Sequence, residues 1–382
     1  MQTSGRLDQF GTTIFAEMSA LALVTGSINL GQGFPDTDGP EWLLRAAATA
    51  IVEGRGNQYP PGPGIPELRQ AISAHQLAWY GSSVDPDSEV LVTVGATEAI
   101  ASAVLGLTQP GDEVVTFEPY YDSYAATIAL GGAERRVVTL RPDAGRWTFD
   151  PDELGKAITA KTRLILLNTP HNPTGTVFTR DELTTIADLA LEHDLSVVSD
   201  EVYEHLVFDG EHLPISTLPG MADRTITISS AGKTFSVTGW KVGWATGPAA
   251  LIGRVRAVKQ FLTFVGSGPF QYAVAEALTA DRNDYQRLVD DLRTKRDLLT
   301  NGLIEHGFSA FLPQATYFTT IDLGDSGRSG QSWCRALPEA CGVVAIPSRV
   351  FYDSDVDRYV RFAFCKRVEV LTEALARLGK LS

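Results

Sequence analysis

Short apolar runs alternate with longer helical patterns through the middle of the chain, and this alternation restricts the fold more than any other feature. The strand-like runs are 90–94, 113–117, 163–167 and 195–199, and the helix-like patterns between them are 96–107, 121–130 and 180–193. Strands that alternate with helices are typical of βαβ units, whose strands are parallel. The sequence therefore predicts an α/β fold with a mainly parallel central sheet flanked by helices.

The pattern changes in the last third of the chain, which indicates a second folding unit. Apolar runs at 225–229 and 242–246 bracket Lys233 as neighbouring strands would. Beyond them we predict long helices at 248–280 and 285–306, short strands near 317–322, 343–346 and 359–363, and a last helix near 368–379. Because 382 residues exceed the usual size of one domain, two domains are expected. The predicted division is an N-terminal arm with part of the small domain at 1–37, a large domain at 38–281 and a small α/β domain at 282–382.

Lys233 lies in the segment of the chain that says most about chemistry. Small residues precede it, and Lys241 follows eight positions later in a Gly-Trp-Lys-Val-Gly turn. Such surroundings suit an amine held as a Schiff base close to a bound anion. A nucleotide-binding P-loop is excluded because Thr227 stands where that motif needs glycine. By residue type alone a solvated surface lysine would be favoured, so the interpretation depends on the neighbouring motifs.

Polar side chains follow two of the predicted strands. Asn172 lies in a Pro-rich turn after the run 164–167, and Asp200 ends the run 195–199. Ligands of open α/β sheets bind at the carboxyl ends of the strands, so both residues are candidates for a binding site. Taken singly, Asn172 is more often a turn former and Asp200 a cap.

Together, the segments around Lys233, Asn172 and Asp200 resemble the fold-type I, class I/II aminotransferases that use pyridoxal phosphate. The likeness covers almost the whole chain, from 29–36 to 360–366. It is greatest toward the kynurenine/methionine aminotransferase branch, and within it toward actinobacterial N-succinyldiaminopimelate aminotransferases. The segments 12–22 and 57–64 carry this closer likeness. The resemblance implies the fold-type I architecture with pyridoxal 5'-phosphate as cofactor.

The phosphate of that cofactor is expected at the start of a helix. Gly95, Ala96 and Thr97 follow the strand 90–94 and open a helix, so their backbone N–H groups and the helix dipole would face an anion. Alone, this segment could equally be an ordinary turn capped by Thr97. The resemblance completes the site with Ser230, Lys241 and, across a homodimer interface, Tyr59.

The resemblance also gives roles around the cofactor ring. Asp200 would pair with the pyridinium nitrogen and keep it protonated, because an opposite charge favours the charged form. Asn172 and Tyr203 would donate hydrogen bonds to the ring oxygen, and Tyr121 would stack on the ring face. Without the resemblance, both tyrosines would be interpreted as packing residues.

Arg361 is the candidate for holding the substrate. It lies inside an apolar strand, where an unpaired charge is costly, and a guanidinium is the natural two-donor partner of an α-carboxylate. A salt bridge to a protein carboxylate is the alternative. The resemblance adds the backbone of Gly33 to the carboxylate site and gives the side-chain pocket an apolar wall of Phe15, Phe34 and Tyr59. The expected substrate-binding residues are thus Gly33, Phe34, Phe15, Asn172 and Arg361.

The implied reaction is a ping-pong transamination in which Lys233 is the catalytic residue and moves a proton between substrate and cofactor. An aromatic, kynurenine or methionine-like donor is favoured because no second arginine for a distal carboxylate is recognisable. N-succinyldiaminopimelate is the alternative, with Arg328 or Arg349 as conceivable partners of its far carboxylate. β-Elimination from cysteine S-conjugates is a further alternative. A transcription regulator with an aminotransferase-like sensor would need a winged-helix module, which we do not expect here.

Composition restricts partners and location. With 32 basic and 46 acidic residues the net charge is -14, which disfavours nucleic acid and anionic membranes as partners. No secretion signal or membrane span is recognisable, so a cytoplasmic location is expected. The homodimer is implied by the resemblance, through the role of Tyr59 across the interface. Cys334, Cys341 and Cys365 form no CxxC pair, which predicts buried thiols and neither a disulfide framework nor a bound metal.

Overall fold

Helices and strands follow the apolar periodicity over residues 5–8, 10–324 and 327–381, the part of the chain that the computed structural model describes. The helices are α1 (Ile14–Thr25), α2 (Glu41–Val52), α3 (Pro66–Tyr80), α4 (Gly95–Leu107), α5 (Ser123–Gly131), α6 (Pro151–Ala157), α7 (Arg180–Glu192), α8 (Ala231–Thr234), α9 (Ala249–Leu262), α10 (Gly268–Leu278), α11 (Arg282–Glu305), α12 (Gly330–Cys341) and α13 (Val368–Leu378). The strands are β1 (Ile28–Asn29), β2 (Val90–Val94), β3 (Glu113–Glu118), β4 (Glu134–Thr139), β5 (Arg141–Asp143), β6 (Arg146–Thr148), β7 (Thr162–Asn168), β8 (Ser196–Asp200), β9 (Thr225–Ser230), β10 (Val242–Thr246), β11 (Ser309–Phe311), β12 (Phe318–Asp322), β13 (Val343–Val344), β14 (Ile346–Pro347) and β15 (Tyr359–Ala363).

Seven strands form the central sheet in the order β2-β10-β9-β8-β7-β3-β4. Neighbours from β9 to β4 pair in parallel, whereas β10 is antiparallel to both β2 and β9. Every residue of β3 and β9 is buried, as expected for strands covered by helices on both faces. The prediction of an α/β fold with a mainly parallel sheet is confirmed.

A second, antiparallel sheet has the order β11-β12-β15-β14. The N-terminal segment packs against this sheet, because Ile14, Met18 and Leu30 share a core with residues of β12, β15 and α13. In addition, β1 pairs in parallel with β13, with Ile28 opposite Val343. The first and last parts of the chain therefore form one unit around a common core.

The prediction of one continuous helix at 248–280 is wrong, because the segment forms two helices: α9 ends at Leu262 and α10 begins at Gly268. Phe264 between them has φ of +66°, and Pro269 lies at the start of α10. A proline lacks the N–H that a helix interior needs, and it disfavours helical backbone in the preceding residue. The chain therefore turns between the two helices and forms a loop, which matters for Tyr59 below.

The cysteines are free thiols, but only Cys334 and Cys365 are buried. Cys341 is partly exposed near the end of α12, so the prediction of three buried thiols is wrong for this residue. Among the described residues, no helix combines the length and apolar character that crossing a membrane requires.

Candidate active site

A cavity lies at the carboxyl edge of the central sheet, where β7, β8 and β9 end at Asn168, Asp200 and Ser230. The cavity encloses about 720 Å³ when its open mouth is included. The predicted site residues that line it are Gly95, Ala96, Thr97, Tyr121, Asn172, Asp200, Tyr203, Ser230, Lys233 and Lys241. Residues from six separate stretches of the chain thus meet at the edge where open α/β sheets bind ligands.

One end of the cavity suits an anion. The first turn of α4 begins at Gly95 directly after β2, and its N–H groups have no acceptor within the helix. A Cβ added to Gly95, whose φ is +71°, would lie 3.2 Å from Lys241 Nζ. The Lys241 ammonium therefore lies beside the helix start, held there by a left-handed backbone (φ +55°). Helix dipole, free N–H groups and this ammonium together form a phosphate-sized cradle.

Lys233 lies on the one-turn helix α8 after β9, so its amine reaches into the middle of the cavity. Its Nζ donates a hydrogen bond to the Tyr317 hydroxyl at 3.1 Å. Burial lowers the pKa of Lys233 to about 8, and the positive charges of Lys241 and Arg361 act in the same direction. The neutral, nucleophilic form of the amine is therefore far more accessible here than in an exposed lysine.

Asp200 is a buried carboxylate at the cavity wall. Its Oδ2 accepts a hydrogen bond from the Tyr124 hydroxyl at 2.5 Å, and its Oδ1 accepts the Val202 N–H at 3.4 Å. Burial raises the pKa of Asp200 to about 6, while the Tyr124 hydrogen bond opposes the rise. Among the described residues Asp200 forms no ion pair, so a cationic group in the cavity would find a counter-charge in place.

Two asparagines connect the strand ends. Asn168 at the end of β7 donates from Nδ2 to the Asp200 carbonyl at 2.8 Å, and its Oδ1 accepts the Asn172 N–H at 2.8 Å. Asn172 Oδ1 in turn accepts a hydrogen bond from Arg361 at 3.0 Å. The side chain of Asn172 is thereby fixed between the cavity and the guanidinium group.

Arg361 is 1% exposed and forms no ion pair with any described carboxylate. Within the described ranges it donates, besides Asn172, only to the Gly31 carbonyl at 3.1 Å, and its buried Nε has no partner there. The guanidinium carbon lies 3.9 Å from the centre of the Phe318 ring and 5.3 Å from that of Phe15. Burial lowers the pKa of Arg361 to about 10, so it remains charged at neutral pH. The internal salt bridge considered from sequence is absent from the described part of the chain.

The predicted substrate residues Gly33, Phe34 and Phe15 do not line the cavity, and of these Phe15 packs against the Arg361 guanidinium. The Gly33 carbonyl accepts the Tyr317 hydroxyl at 2.7 Å, and Phe34 is half exposed beneath the Lys366 ammonium. Tyr59 is 82% exposed and contacts Phe264 in the loop between α9 and α10. The structure of one chain therefore does not bring Tyr59 into the site.

Comparison with known proteins identifies the family. Residues 25–378 match the family described as aminotransferase class I and II. The chain belongs to the class I and II aminotransferases. It is a pyridoxal 5'-phosphate-dependent aminotransferase, since enzymes of this family use that cofactor.

Relatives of this aminotransferase match it over its full length. A probable N-succinyldiaminopimelate aminotransferase DapC of Mycobacterium tuberculosis is 52% identical over 392 residues, covering 100% of this chain and 98% of the relative. The methionine aminotransferase of Escherichia coli is 40% identical over 379 residues, covering 98% and 97%. The solved structure of N-succinyldiaminopimelate aminotransferase from M. tuberculosis superposes with a TM-score of 0.97 and covers 100% of both chains. These matches confirm the fold-type I architecture and the branch expected from sequence.

The residues present fit the cofactor of the aminotransferases. Lys241 beside the start of α4 suits its phosphate, and the buried carboxylate of Asp200 suits its ring nitrogen. Lys233 supplies an amine with a lowered pKa between them. Tyr121, whose pKa burial raises to about 12, remains a neutral ring able to cover the cofactor face.

Among the residues missed by sequence reasoning are Tyr124 and Asn168, which line the cavity, and Tyr317, which accepts a hydrogen bond from Lys233. Asn168 could have been found, because it ends a predicted strand in the same way as Asp200. Tyr124 lies in a tyrosine-rich segment that gives no sign of which ring faces Asp200. Tyr317 precedes a strand of the other sheet and carries no local signal.

A group of side chains that could ligate a metal lies outside the cavity and consists of His75, Glu204 and His205. The two imidazole Nε2 atoms are 2.8 Å apart, which one shared proton satisfies as a hydrogen bond. Glu204 accepts hydrogen bonds from the Tyr80 hydroxyl at 2.6 Å and from the Ser229 hydroxyl. Burial lowers the pKa of both histidines, so they are neutral at pH 7. These hydrogen bonds engage all three side chains, while His75 Nδ1 is buried without a partner among the described residues.

Proposed function

We propose that Arg361 holds the α-carboxylate of an L-amino acid while Lys233 transfers the proton at its Cα. The observation that carries this proposal is a fully buried guanidinium with an unpartnered Nε and no described acidic partner. A buried charge of this kind is costly unless an anion joins it, and a carboxylate matches its two-donor face. Asn172 links this group to the cavity that contains Lys233.

The other residues hold the cofactor in the proposed arrangement. Bound pyridoxal phosphate supplies a carbonyl carbon that amines attack and a protonated ring that withdraws electrons from the substrate Cα. Asp200 keeps the ring nitrogen protonated, and Asn172 and Tyr203 donate hydrogen bonds to the ring oxygen. Ser230, Lys241 and the first turn of α4 (Gly95, Ala96, Thr97) bind the phosphate, and Tyr121 covers the ring. With the cofactor bound, Lys233 would take the proton from the substrate Cα and return it to the cofactor side, so that the first oxo acid could leave and a second could be aminated by the reverse path.

For the amino donor, we propose N-succinyldiaminopimelate. The support is the identity of 52% to relatives with that name, against 40% to a methionine aminotransferase and 38% to a kynurenine transaminase. A methionine-like or aromatic donor is the second candidate, favoured by the apolar rings of Phe15 and Phe351, 6.1 Å apart beside Arg361. Neither arginine considered for a distal carboxylate of the donor lies free at the site: Arg328 is exposed, and Arg349 donates to the Tyr352 carbonyl and pairs with Asp355.

A single-turnover titration distinguishes the two donors. Holoenzyme is mixed with N-succinyldiaminopimelate, methionine, kynurenine, phenylalanine or glutamate without an oxo acid, and the loss of the cofactor's absorption band is timed. We expect the second-order rate for the succinylated donor to exceed that for methionine by about 100-fold, a typical discrimination between side chains. Equal or faster bleaching by methionine and kynurenine would establish the second candidate. Pyruvate and ammonia formed from a cysteine S-conjugate under these conditions would reveal the β-lyase activity.

We further propose a homodimer in which Tyr59 of each subunit completes the site of the other. An apolar surface supports this: Val52 is 87% exposed, Phe261 84% and Tyr59 82%, and Phe264 is half exposed against Tyr59. These residues lie at the ends of α2 and α9 and in the adjoining loops. Burial of such side chains is the usual driving force of subunit association.

Subunit complementation tests the shared site. We expect each variant to be impaired on its own. Lys233→Ala should be impaired at any cofactor concentration, and Tyr59→Ala at low cofactor concentration. Mixed after dissociation, they should recover about a quarter of wild-type activity, because each hybrid dimer regains one intact site. No recovery, in a mixture shown by mass to contain hybrids, would contradict the contribution of Tyr59 across the interface.

We also propose the domain boundaries and the cellular location of the protein. The boundaries at 37/38 and 281/282 are supported by the shared core of the N-terminal segment and C-terminal part and by the start of α11 at Arg282. A cytoplasmic location is supported by the free state of the three cysteines.

A further inference from the structure

Tyr317 is the side chain that receives the hydrogen bond of the Lys233 amine. It is 1% exposed and immediately precedes β12 in the second sheet, so the two residues are 84 positions apart in the chain. Its hydroxyl donates to the Gly33 carbonyl at 2.7 Å, accepts from Lys233 Nζ at 3.1 Å and also interacts with the Tyr203 hydroxyl. Because the single O–H proton is used on Gly33, the oxygen can offer Lys233 only its lone pairs.

The position of this hydroxyl is fixed from several sides. The Tyr317 carbonyl accepts the Phe364 N–H at 2.9 Å, and the preceding residue donates to the Leu206 carbonyl at 2.9 Å. Its ring packs edge-on against Tyr203, with centroids 5.2 Å apart. Burial raises the pKa of Tyr317 well above its ordinary value, so the hydroxyl keeps its proton at any physiological pH. The acceptor offered to Lys233 is therefore neutral and stationary.

We propose that Tyr317 is a positioning residue for the proton-transfer step, which orients the free amine of Lys233 by accepting one of its N–H bonds. This inference rests on the proposed role of Lys233. An amine on a four-carbon stem has many rotamers, and Tyr317 is its only hydrogen-bond partner among the described residues. With one N–H bound to Tyr317, the nitrogen lone pair is directed elsewhere, toward the cavity in which Cα is presented. Orientation of this kind acts on the transition state and hence on kcat.

The same hydroxyl also touches Gly33, in the segment expected to meet the substrate carboxylate, and the two roles predict different kinetics. If Tyr317 mainly supports Gly33, its loss weakens substrate binding and raises KM. If it mainly positions Lys233, its loss lowers kcat and leaves KM nearly unchanged. The Tyr317→Phe variant removes only the hydroxyl and keeps the ring that packs on Tyr203 and Phe318.

The test compares wild-type, Tyr317→Phe and Tyr352→Phe holoenzymes. Tyr352 is a matched control because it is also buried in the C-terminal part, and its hydroxyl has no partner in the described structure. For Tyr317→Phe we expect kcat to fall about 10- to 100-fold with KM within about threefold, the loss typical of a hydrogen bond to a charged group, because the amine becomes an ammonium as it takes the proton. The isotope effect of α-deuterated donor on kcat should rise, because proton transfer becomes slower than product release. Tyr352→Phe should match wild type in all three quantities.

A spectroscopic measurement separates positioning from a general structural effect. After one donor half-reaction Lys233 carries a free amine, and the 13Cε resonance of labelled lysine reports its titration. Loss of an acceptor for the ammonium should lower the pKa of Lys233 further in Tyr317→Phe. A rise in KM alone, or an unchanged kcat and pKa, would overturn the proposal. Turnover in Lys233→Ala would instead show that the proposed function of the lysine fails.

Discussion

Lys233→Ala is expected to lower turnover by at least about 10,000-fold while the protein folds and still binds the cofactor's phosphate. The reason is that, in the proposed mechanism, the amine both holds the cofactor and acts as the base that moves the substrate proton. The phosphate cradle at the start of α4 contains no atom of this side chain, so noncovalent cofactor binding should persist. Turnover is measured with the best donor from the titration, and cofactor content is measured by absorbance after dialysis.

Two further variants make the interpretation of this loss specific. Lys233→Arg keeps the positive charge but cannot act as a base at neutral pH, so it should be as inactive as Lys233→Ala. Lys295→Ala removes another mostly buried lysine, whose ammonium pairs with Asp291 on α11, and should retain activity. Wild-type turnover in Lys233→Ala would show that the lysine is misassigned. Activity in Lys233→Arg would mean that charge, and not proton transfer, is its contribution.

The sequence predicts the large sheet well because the physical signal is local. The runs before Asn168 and Asp200 have apolar centres, at 164–167 and 197–198, and the strand that ends at Ser230 alternates isoleucine with buried threonine and serine. A polar residue at the end of such a run is expected at the sheet edge, where ligands of open α/β sheets bind. This rule predicts Asp200 and Asn172 as site residues, whereas Ser230 is predicted only by the family resemblance; all three line the cavity.

Residues that depend on contacts between distant segments could not be predicted in this way. Tyr124 reaches Asp200 across 76 positions, and Tyr317 reaches Lys233 across 84. The sequence around each tyrosine looks like that of a packing residue. The partner of each hydroxyl depends on how α5 and the two sheets pack together, which the local sequence does not show. The break between α9 and α10 was also missed, since the apolar periodicity continues on both sides of the loop at 263–267.

Burial shifts the pKa values of Asp200 and Lys233 in directions that suit a cofactor and its chemistry. The pKa of Asp200 is raised and that of Lys233 is lowered, in both cases mainly because burial penalises the charged form. A cationic ring near Asp200 would return its pKa toward the ordinary range, so binding of the cofactor and ionisation of Asp200 favour each other. Lys233 needs no such partner, because its chemistry requires the neutral amine.

Arg361→Met is expected to lower kcat/KM by about 1,000-fold without loss of thermal stability. The activity falls because the substrate carboxylate loses a buried ionic partner, an interaction of about 3–5 kcal/mol when one member is removed. Stability should not fall, because the folded enzyme without substrate contains this guanidinium with no carboxylate partner among the described residues. The methionine side chain is similar in length to the aliphatic part of arginine and can pack against the rings of Phe318, Phe15 and Phe351.

The two measurements for Arg361→Met together test the role of the arginine. We expect the variant to unfold at or above the wild-type temperature and also to lose kcat/KM. That combination would show that the charge of Arg361 binds substrate and does not stabilise the fold. Arg361→Lys is the matched variant: it keeps the charge but loses the planar two-donor face, so its kcat/KM should lie between those of wild type and Arg361→Met. A marked fall in unfolding temperature with kcat/KM little changed would assign Arg361 to the structure of the strand and remove it from the substrate site.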